Sequence, residues 1–355
     1  MNPSMHDQPV VVIGVDTHKQ THTAAAVEAA TGGVVQQATA SADPAGYQRL
    51  LDAADRASAT IGADDRLWAI EGAGSYGAGL TRWLTDRGEV VVEMERPKRP
   101  ARRHGAKSDA IDAVRAAREA LGRPVPITPK RAGSRAAIAA RLSARRGAVE
   151  AATAAINQLH ALAVVAPEPL RSRLHGGRTD DLVAVCARLR GHASHDVETA
   201  QLTVTLRSLA RRVRTLRAEA AEHETALRDL VDAWRSDLLD VVGVGPIVAA
   251  VVLSAWSHSG RVPSEAAFAH LAGAAPIPAS SGQTVRHRLC RSGDRQLNRA
   301  LHTIAMTRMR IDPTTQAYVA RRRAEGKTDR EIRRCLKRYI ARQLFRRLER
   351  GASPT

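Results

Sequence analysis

The sequence is poor in cysteine and aromatic residues and has no long apolar run, and each absence excludes a class of protein. Its three cysteines, Cys186, Cys290 and Cys335, lie far apart and form no C-x-x-C pair, which argues against a disulfide framework and a cysteine-bound zinc site. The chain has two Phe, four Trp and four Tyr in 355 residues, too few to predict an aromatic platform for single-stranded nucleic acid. No signal-peptide pattern and no apolar run of about 18 residues occurs, so we expect a cytoplasmic protein with no membrane partner.

Positive charge, by contrast, is abundant. The formal net charge is +18 and the sequence pI is near 11.1. Such an excess is unusual for an enzyme of small metabolites and indicates a polyanionic partner, with nucleic acid as the first candidate.

The first ~120 residues alternate short apolar segments with helical patterns, which predicts an α/β domain. Strands are predicted at 10–15, 21–30, 32–40, 66–72 and 88–95, and helices at 43–55 and 80–87. The segment GRPVPITPK, at 122–130, then resembles a linker because prolines interrupt the pattern. We therefore predict a first domain over residues 1–125.

Long helices are predicted for the middle of the chain, residues 126–236. Leucines and other apolar residues recur there every seven positions, which is typical of a coiled coil or an antiparallel helical hairpin. The repeat could pair helices within one chain or between two chains, and the sequence favours neither. One series contains Leu202, Leu209, Leu216 and Leu230, and the other contains Leu206, Val213, Ala220, Leu227 and Trp234. Residues 237–355 are predicted to form a third, mainly α-helical domain that ends in a very basic tail.

Carboxylates follow two of the predicted strands. Asp16 ends the first apolar strand, and Glu71 ends a later one before the turn GAGSYG. Asp109 and Asp112 lie three residues apart in a helical pattern, which places both on one helix face. A charge beside buried strands is costly unless it is paired, and oxygen ligands of this kind suit Mg²⁺. The four acids together therefore predict a magnesium site.

Two further segments have features of nucleic-acid contacts. The turn with Gly243 and Gly245 in GVGP is typical either of a helix-hairpin-helix turn that approaches phosphate or of a tight turn packed in a core. The segment PASSGQTVRHRLCRSGDRQLNR places a serine doublet, Ser280 and Ser281, before several arginines, although a loop serine is most often only a loop residue. The basic residues predicted to contact nucleic acid are Arg99, Arg102, Arg103, Lys107, Arg286, Arg288, Arg291 and Arg295.

Several of these segments resemble one known family. IGVDTHKQTH, AIEGAGSYG and AKSDAIDA are similar to the ribonuclease H-like, RuvC-type Asp-Glu-Asp-Asp domain of IS110/IS1111 insertion-sequence transposases. VVGVGPIVAAVVLSA, FAHLAGAAPIPASSGQTV and RSGDRQLNRALHTIA resemble the second conserved domain of that family. The two resemblances, in this order, cover most of the chain outside its helical middle.

The resemblance implies a mechanism and partners that the residues alone do not. It implies a DNA transposase or recombinase that cuts and rejoins strands through a phosphoserine intermediate, with Ser281 as the nucleophile and Ser280 as the second choice. Asp16, Glu71, Asp109 and Asp112 would bind Mg²⁺. The implied partners are DNA (element ends and target), a non-coding guide RNA from the element, and further copies of the chain in a homodimer or homotetramer. The implied location is the bacterial cytoplasm, on the nucleoid when DNA is bound.

Two alternatives use the same features differently. A RuvC-like junction endonuclease would use water as the nucleophile, which explains the four acids and leaves Ser281 without a role. A non-catalytic architectural DNA-binding protein explains the charge and leaves the acids unexplained.

Overall fold

The segment that opens the described chain forms the central strand of a mixed β-sheet. A computed structural model describes residues 11–94, 108–123, 126–191, 196–279, 287–290 and 293–350, and the chain divides into two compact units, Met1–Ala132 and Gly133–Thr355. In the first unit the strands are β1 (Val11–Thr17), β2 (Thr21–Glu28), β3 (Val34–Ser41), β4 (Arg66–Glu71) and β5 (Val90–Met94). The helices are α1 (Pro44–Ile61), α2 (Ala78–Thr85) and α3 (Asp109–Leu121).

The sheet has the strand order β3-β2-β1-β4-β5. Strands β1, β2 and β3 form an antiparallel series, whereas β4 and β5 run parallel to β1. Helix α1 begins where the Asp43 carboxylate accepts a hydrogen bond from the Gly46 amide at 2.8 Å, which caps the first turn. The predicted mixed α/β organisation of the N-terminal part is confirmed.

The two faces of this sheet are buried against different helices, because alternate residues of each strand point to opposite faces. Val11, Ile13 and Val15 belong to one apolar cluster with Leu50 of α1 and Leu80 of α2. On the opposite face, the side chains that pack together belong to the strands and to α3: Val12, Val27, Ala69, Val92, Met94, Ala116 and Ala117. Asp16 follows Val12 and Gly14 in the alternation and therefore lies on the α3 face.

The second unit is mostly helical. Its helices are α4 (Ser134–Val165), α5 (Leu170–Leu174), α6 (Thr179–Ala187), α7 (Val197–Arg235), α8 (Pro246–Trp256), α9 (Glu265–Leu271), α10 (Arg295–Ile311), α11 (Pro313–Ala324) and α12 (Asp329–Arg350). A short 3-10 helix (Ser236–Asp240) follows α7, and two short antiparallel strands, β6 (Pro276–Pro278) and β7 (His287–Leu289), complete the described elements.

Helices α4 and α7 pair within the chain as an antiparallel hairpin. Arg145, in the first half of α4, donates to the Glu224 carboxylate in the second half of α7 at 2.9 Å. Leu159, near the end of α4, shares a core with Leu206 in the first half of α7. The second heptad series is the buried one at Leu206, Val213, Ala220 and Leu227, whereas the members of the first are half-buried. Whether these helices also form a coiled coil between chains stays a prediction.

One apolar core joins this hairpin to the C-terminal helices. Ile138 of α4 and Leu227 of α7 belong to the same cluster as Leu253 of α8, Leu301 of α10 and Leu344 of α12. By length and composition alone α4 could cross a membrane, but a core helix of similar composition passes the same test, and the finding is weak. The predicted boundaries at 125/126 and 236/237 stay predictions.

Candidate metal centre

The carboxyl ends of β1 and β4 meet at one edge of the sheet. Their parallel register pairs Val15 with Ile70, so Asp16 and Glu71 are the next residues along neighbouring strands. Thr17 fixes this edge further, because its hydroxyl donates to the Glu71 carbonyl oxygen at 2.7 Å. The Glu71 residue is half-buried. The order of the strands therefore brings together two acids that are far apart in the sequence.

Gly14 lets α3 approach β1 closely enough to bring its first turn to Asp16. A Cβ atom at Gly14 would lie 2.0 Å from the Ala113 carbonyl oxygen and 2.4 Å from the Ala117 amide nitrogen, far inside van der Waals contact. A glycine inside a strand is typical of such a close backbone approach. The Ser108 hydroxyl caps α3 by accepting from the Ile111 amide at 3.3 Å, and Asp109 and Asp112 both fall in the first turn.

Asp16, His18 and Asp109 form the tightest cluster at this edge. One potential ligand atom from each lies within 4.8 Å of the others. The His18 Nε2 atom is 3.3 Å from Asp16 Oδ2 and 3.3 Å from Asp109 Oδ1. His18 is not among the ligands predicted from the sequence; its position two residues after Asp16, on the same side of the extended chain, was the available signal.

Asp112 and Glu71 lie beside this cluster without belonging to it. The Asp112 Oδ1 atom accepts from the Arg115 guanidinium one turn along α3, at 2.7 Å. Asp112 is still close enough for its charge to act on Asp16. Of the four predicted metal ligands, Asp16 and Asp109 thus lie together, Asp112 lies nearby on the same helix turn, and Glu71 neighbours Asp16 through the strand register.

Among the described residues, the positive groups beside Asp16 and Asp109 only partly compensate the charge of these two acids. Burial raises the pKa of Asp16 above its ordinary value of 3.8; the charge of His18 opposes this change, and Asp109 and Asp112 add to it. A carboxylate in this setting is stabilised by a cation. Two carboxylates, further acids beside them and an imidazole nitrogen are a donor set that fits a divalent metal ion.

The predicted serine and most of the predicted basic contacts lie outside the described residues. These are Arg99, Arg102, Arg103, Lys107, Ser280, Ser281, Arg286 and Arg291. Of the remaining two, Arg288 is exposed on β7, and Arg295 is the first residue of α10.

The predicted helix-hairpin-helix turn precedes α8. Gly243 has a φ of 86°, and a Cβ atom there would lie 3.2 Å from the Ile304 carbonyl oxygen of α10. Gly245 immediately precedes α8, and a Cβ atom there would have no described atom within 4 Å. The first glycine thus has a packing role, while the second stands at an open helix N-terminus.

The fold and this cluster together define the class of protein: it has two compact units, and its α/β unit carries a candidate site for a divalent cation. A family model of the DEDD transposase domain of IS110 elements, described as "Transposase", matches residues 13–165. A second model, described as "Transposase IS116/IS110/IS902 family", matches residues 236–320. The chain therefore belongs to the IS110 family of insertion-element transposases, which confirms the resemblance.

Two relatives are similar over part of their length. The insertion element IS110 uncharacterized 43.6 kDa protein of Streptomyces coelicolor is 32% identical over 156 residues, which are 43% of this chain and 38% of that protein. The insertion element IS900 uncharacterized 42 kDa protein of Mycobacterium paratuberculosis is 31% identical over 162 residues, 44% of this chain and 40% of that protein. The matches thus span about two fifths of each relative's own length.

Proposed function

We propose that the chain cuts and rejoins DNA strands during transposition of an insertion element. The observation that carries this proposal is the cluster of Asp16 and Asp109, whose charge the described residues only partly compensate, in a chain with a net charge of +18. A polyanionic substrate and a local carboxylate cluster are compatible when a divalent cation lies between them. Membership of a transposase family supports the same activity.

A ribonuclease H-like, RuvC-type architecture is the proposed fold of the first unit. Its support is the order β3-β2-β1-β4-β5, with an antiparallel β1-β2-β3 part and parallel β4 and β5. That order places the ends of β1 and β4 side by side, which is where a fold of this class needs its acids.

The proposed cofactor is Mg²⁺, held by Asp16 and Asp109 together with Glu71 and Asp112. When bound, such an ion stabilises negative charge that develops on phosphate oxygens. The chain's own contribution is positional: Gly14 lets α3 approach β1, and the β1–β4 register sets Glu71 beside Asp16. These contacts would hold the four carboxylates close enough to share one cation.

The proposed nucleophile is Ser281, with Ser280 as the second choice. Its Oγ would attack the phosphorus of a phosphodiester, forming an Oγ–P bond while the P–O bond to one strand end breaks and that end leaves as a hydroxyl. Attack by a hydroxyl of another strand end would reverse the exchange and restore the serine, so no external energy source is needed. Serine needs activation and nearby positive charge for this chemistry, and the arginines that follow it in sequence, from Arg286 to Arg295, would supply the charge.

The proposed partners are the DNA of the element ends and target, a non-coding guide RNA and further copies of the chain in a homodimer or homotetramer. The proposed location is the bacterial cytoplasm. Support for nucleic acid comes from the net charge and the family, whereas the RNA and the oligomer rest on the family resemblance alone.

Trapping a covalent DNA–protein adduct under denaturing conditions tests this function. Wild-type protein with Mg²⁺ and element-end DNA should give an adduct, and Ser281→Ala should give none while it still binds DNA. Ser280→Ala is the matched control and should retain the adduct, because one hydroxyl alone can be in line with the scissile phosphorus.

Each other result identifies a different nucleophile or a different function. If Ser280→Ala loses the adduct and Ser281→Ala keeps it, the nucleophile is Ser280. Cleavage without any adduct, dependent on Asp16, would instead support a junction endonuclease that uses water. DNA binding with neither cleavage nor adduct would support an architectural protein.

A further inference from the structure

The turn between β1 and β2 holds His18 in a fixed position beside the acidic cluster. Its backbone amide donates to the Thr21 carbonyl oxygen at 3.0 Å, which closes the turn. The preceding residue, Thr17, is tied to β4 through its hydrogen bond to the Glu71 carbonyl oxygen. The backbone is thus anchored at His18 and at the residue before it, so the fold sets where this side chain begins.

The contacts of the His18 Nε2 atom are unusual for a histidine paired with acids. The side chain is 43% exposed, yet Nε2 itself is buried and interacts closely enough with the Asp16 carboxylate to oppose the rise that burial causes in the pKa of that acid. It lies at the same 3.3 Å from one oxygen of Asp16 and one oxygen of Asp109. A histidine serving only as a hydrogen-bond donor would align with one acceptor at a shorter distance. Here the nitrogen lies between a strand carboxylate and a helix carboxylate.

A nitrogen ligand changes which cation such a site prefers. Mg²⁺ prefers oxygen ligands and keeps much of its water, whereas imidazole nitrogen binds transition-metal cations more readily. Adding an imidazole nitrogen to carboxylate ligands therefore increases affinity for a cation such as Mn²⁺ more than it increases affinity for Mg²⁺.

We infer that His18 Nε2 is a direct ligand of the divalent cation and makes this site bind Mn²⁺ more tightly than Mg²⁺. The inference rests on the proposed metal site at Asp16 and Asp109, and it adds a ligand outside the four predicted acids. It does not depend on the serine or on DNA cleavage, so it can be measured without either.

Pulsed electron paramagnetic resonance of Mn²⁺ bound to the full-length protein tests the ligand directly. The wild-type spectrum should contain ¹⁴N coupling from one imidazole, and labelling histidine with ¹⁵N should replace it by ¹⁵N coupling. His18→Ala should lose the coupling, and His18→Gln should lose it too while keeping a polar side chain. His160→Ala, an exposed position on α4, is the matched control and should keep it.

Titration calorimetry with Mn²⁺ alone and Mg²⁺ alone tests the selectivity. His18→Ala should weaken Mn²⁺ binding by about 10-fold or more and change Mg²⁺ binding by a much smaller factor. Asp16→Asn should weaken both, because a carboxylate oxygen serves either ion. If His18 had a purely structural role, His18→Ala would leave the ratio of the Mn²⁺ and Mg²⁺ affinities unchanged.

Two results would overturn this inference and leave the proposed metal site standing. The first is a wild-type Mn²⁺ site that depends on Asp16 and shows no imidazole coupling. The second is His18→Ala binding Mn²⁺ as tightly as wild type or more tightly, which would mean that His18 competes with the metal as a positive charge. A complete lack of Asp16-dependent cation binding would refute both this inference and the proposed metal site, whereas a missing DNA adduct would refute the serine chemistry alone.

Discussion

The acidic sheet edge and the arginine-rich helix α12 both concentrate charge of one sign, but they differ in how that charge is compensated. Many arginines in and before α12 have carboxylate partners in the described structure. Arg347 contacts Asp237 at 3.0 Å and Asp240 at 3.2 Å, and Arg342 contacts Glu265 at 2.9 Å. At the sheet edge, by contrast, His18 bridges Asp16 and Asp109, and the pKa of Asp16 remains raised.

This difference distinguishes charged residues that stabilise the fold by pairing with one another from charged residues that are available to bind a ligand. Paired arginines hold helices together and leave less charge for an external phosphate, so net charge overstates how much of the tail can contact nucleic acid. Within α12, Arg334 is exposed and forms no salt bridge among the described residues, which makes it a better candidate for phosphate contact than Arg347. Clustered carboxylates with too few positive groups among the described residues, in turn, indicate a place for a metal ion.

The largest expected effect comes from removing a charge at the acidic edge. Asp16→Asn should lower DNA strand cleavage by about 10²-fold or more, because a group that positions charge at the reacting phosphate is lost. Asp65→Asn, at an exposed loop position of the same unit, is the control and should cleave like wild type. Cleavage assays with labelled element-end DNA measure both, and an active Asp16→Asn protein would remove Asp16 from the site.

The close approach of α3 to β1 gives the next largest effect. Gly14→Ala places a methyl group 2.0 Å from the Ala113 carbonyl oxygen, so α3 must shift, at a cost of about 3 kcal/mol in unfolding free energy. Gly74→Ala is the matched control, since no described atom lies within 4 Å of its Cβ position. Denaturant unfolding measures the two, and equal stabilities would show that α3 does not need the glycine.

A smaller effect distinguishes the two kinds of arginine in α12. Arg334→Gln should reduce the salt dependence of DNA or RNA binding by about 0.9 in log–log slope, the value for one lost phosphate contact. Arg347→Gln should leave that slope unchanged and instead lower stability by about 1 kcal/mol or less, as expected for a partly exposed ion pair. Binding titrations at several salt concentrations check both, and the reverse pattern would contradict this division of the helix.

The smallest effect is a dependence of stability on pH without metal. The raised pKa of Asp16 means that the folded chain binds this proton more tightly than the unfolded chain does, so protonation favours folding. The Asp16 carboxylate therefore does not destabilise the folded state below its ordinary pKa of 3.8. Its destabilising effect grows as pH rises above that value and is complete once pH exceeds the folded-state pKa. Metal-free Asp16→Asn should be more stable than wild type at neutral pH, with a difference that shrinks as pH falls. Thermal melts over a pH series would contradict this if the difference stayed constant.

Local sequence patterns predicted the strands and the acids Asp16 and Asp109. The other features of the site and of α12 depend on long-range packing. Asp16 and Asp109 could be identified because carboxylates at a strand end and in a helix start are visible in sequence. Glu71 lies next to Asp16 because of the β1–β4 register, which no local sequence pattern specifies. The position of His18 beside the two acids depends on the conformation of the β1–β2 turn. The partners of Arg347 and Arg342 are acids far away in sequence, so charge counting alone could not separate them from Arg334.

Thermal unfolding of wild type and Asp16→Asn, each with and without Mg²⁺, tests the central claim that the acidic edge is a cation site. Wild type should melt at a higher temperature when Mg²⁺ is added, because an ion that binds the folded state alone stabilises it. Asp16→Asn should melt above metal-free wild type and respond little to Mg²⁺. A wild-type melting temperature that Mg²⁺ leaves unchanged, or an equal increase in Asp16→Asn, would contradict the account.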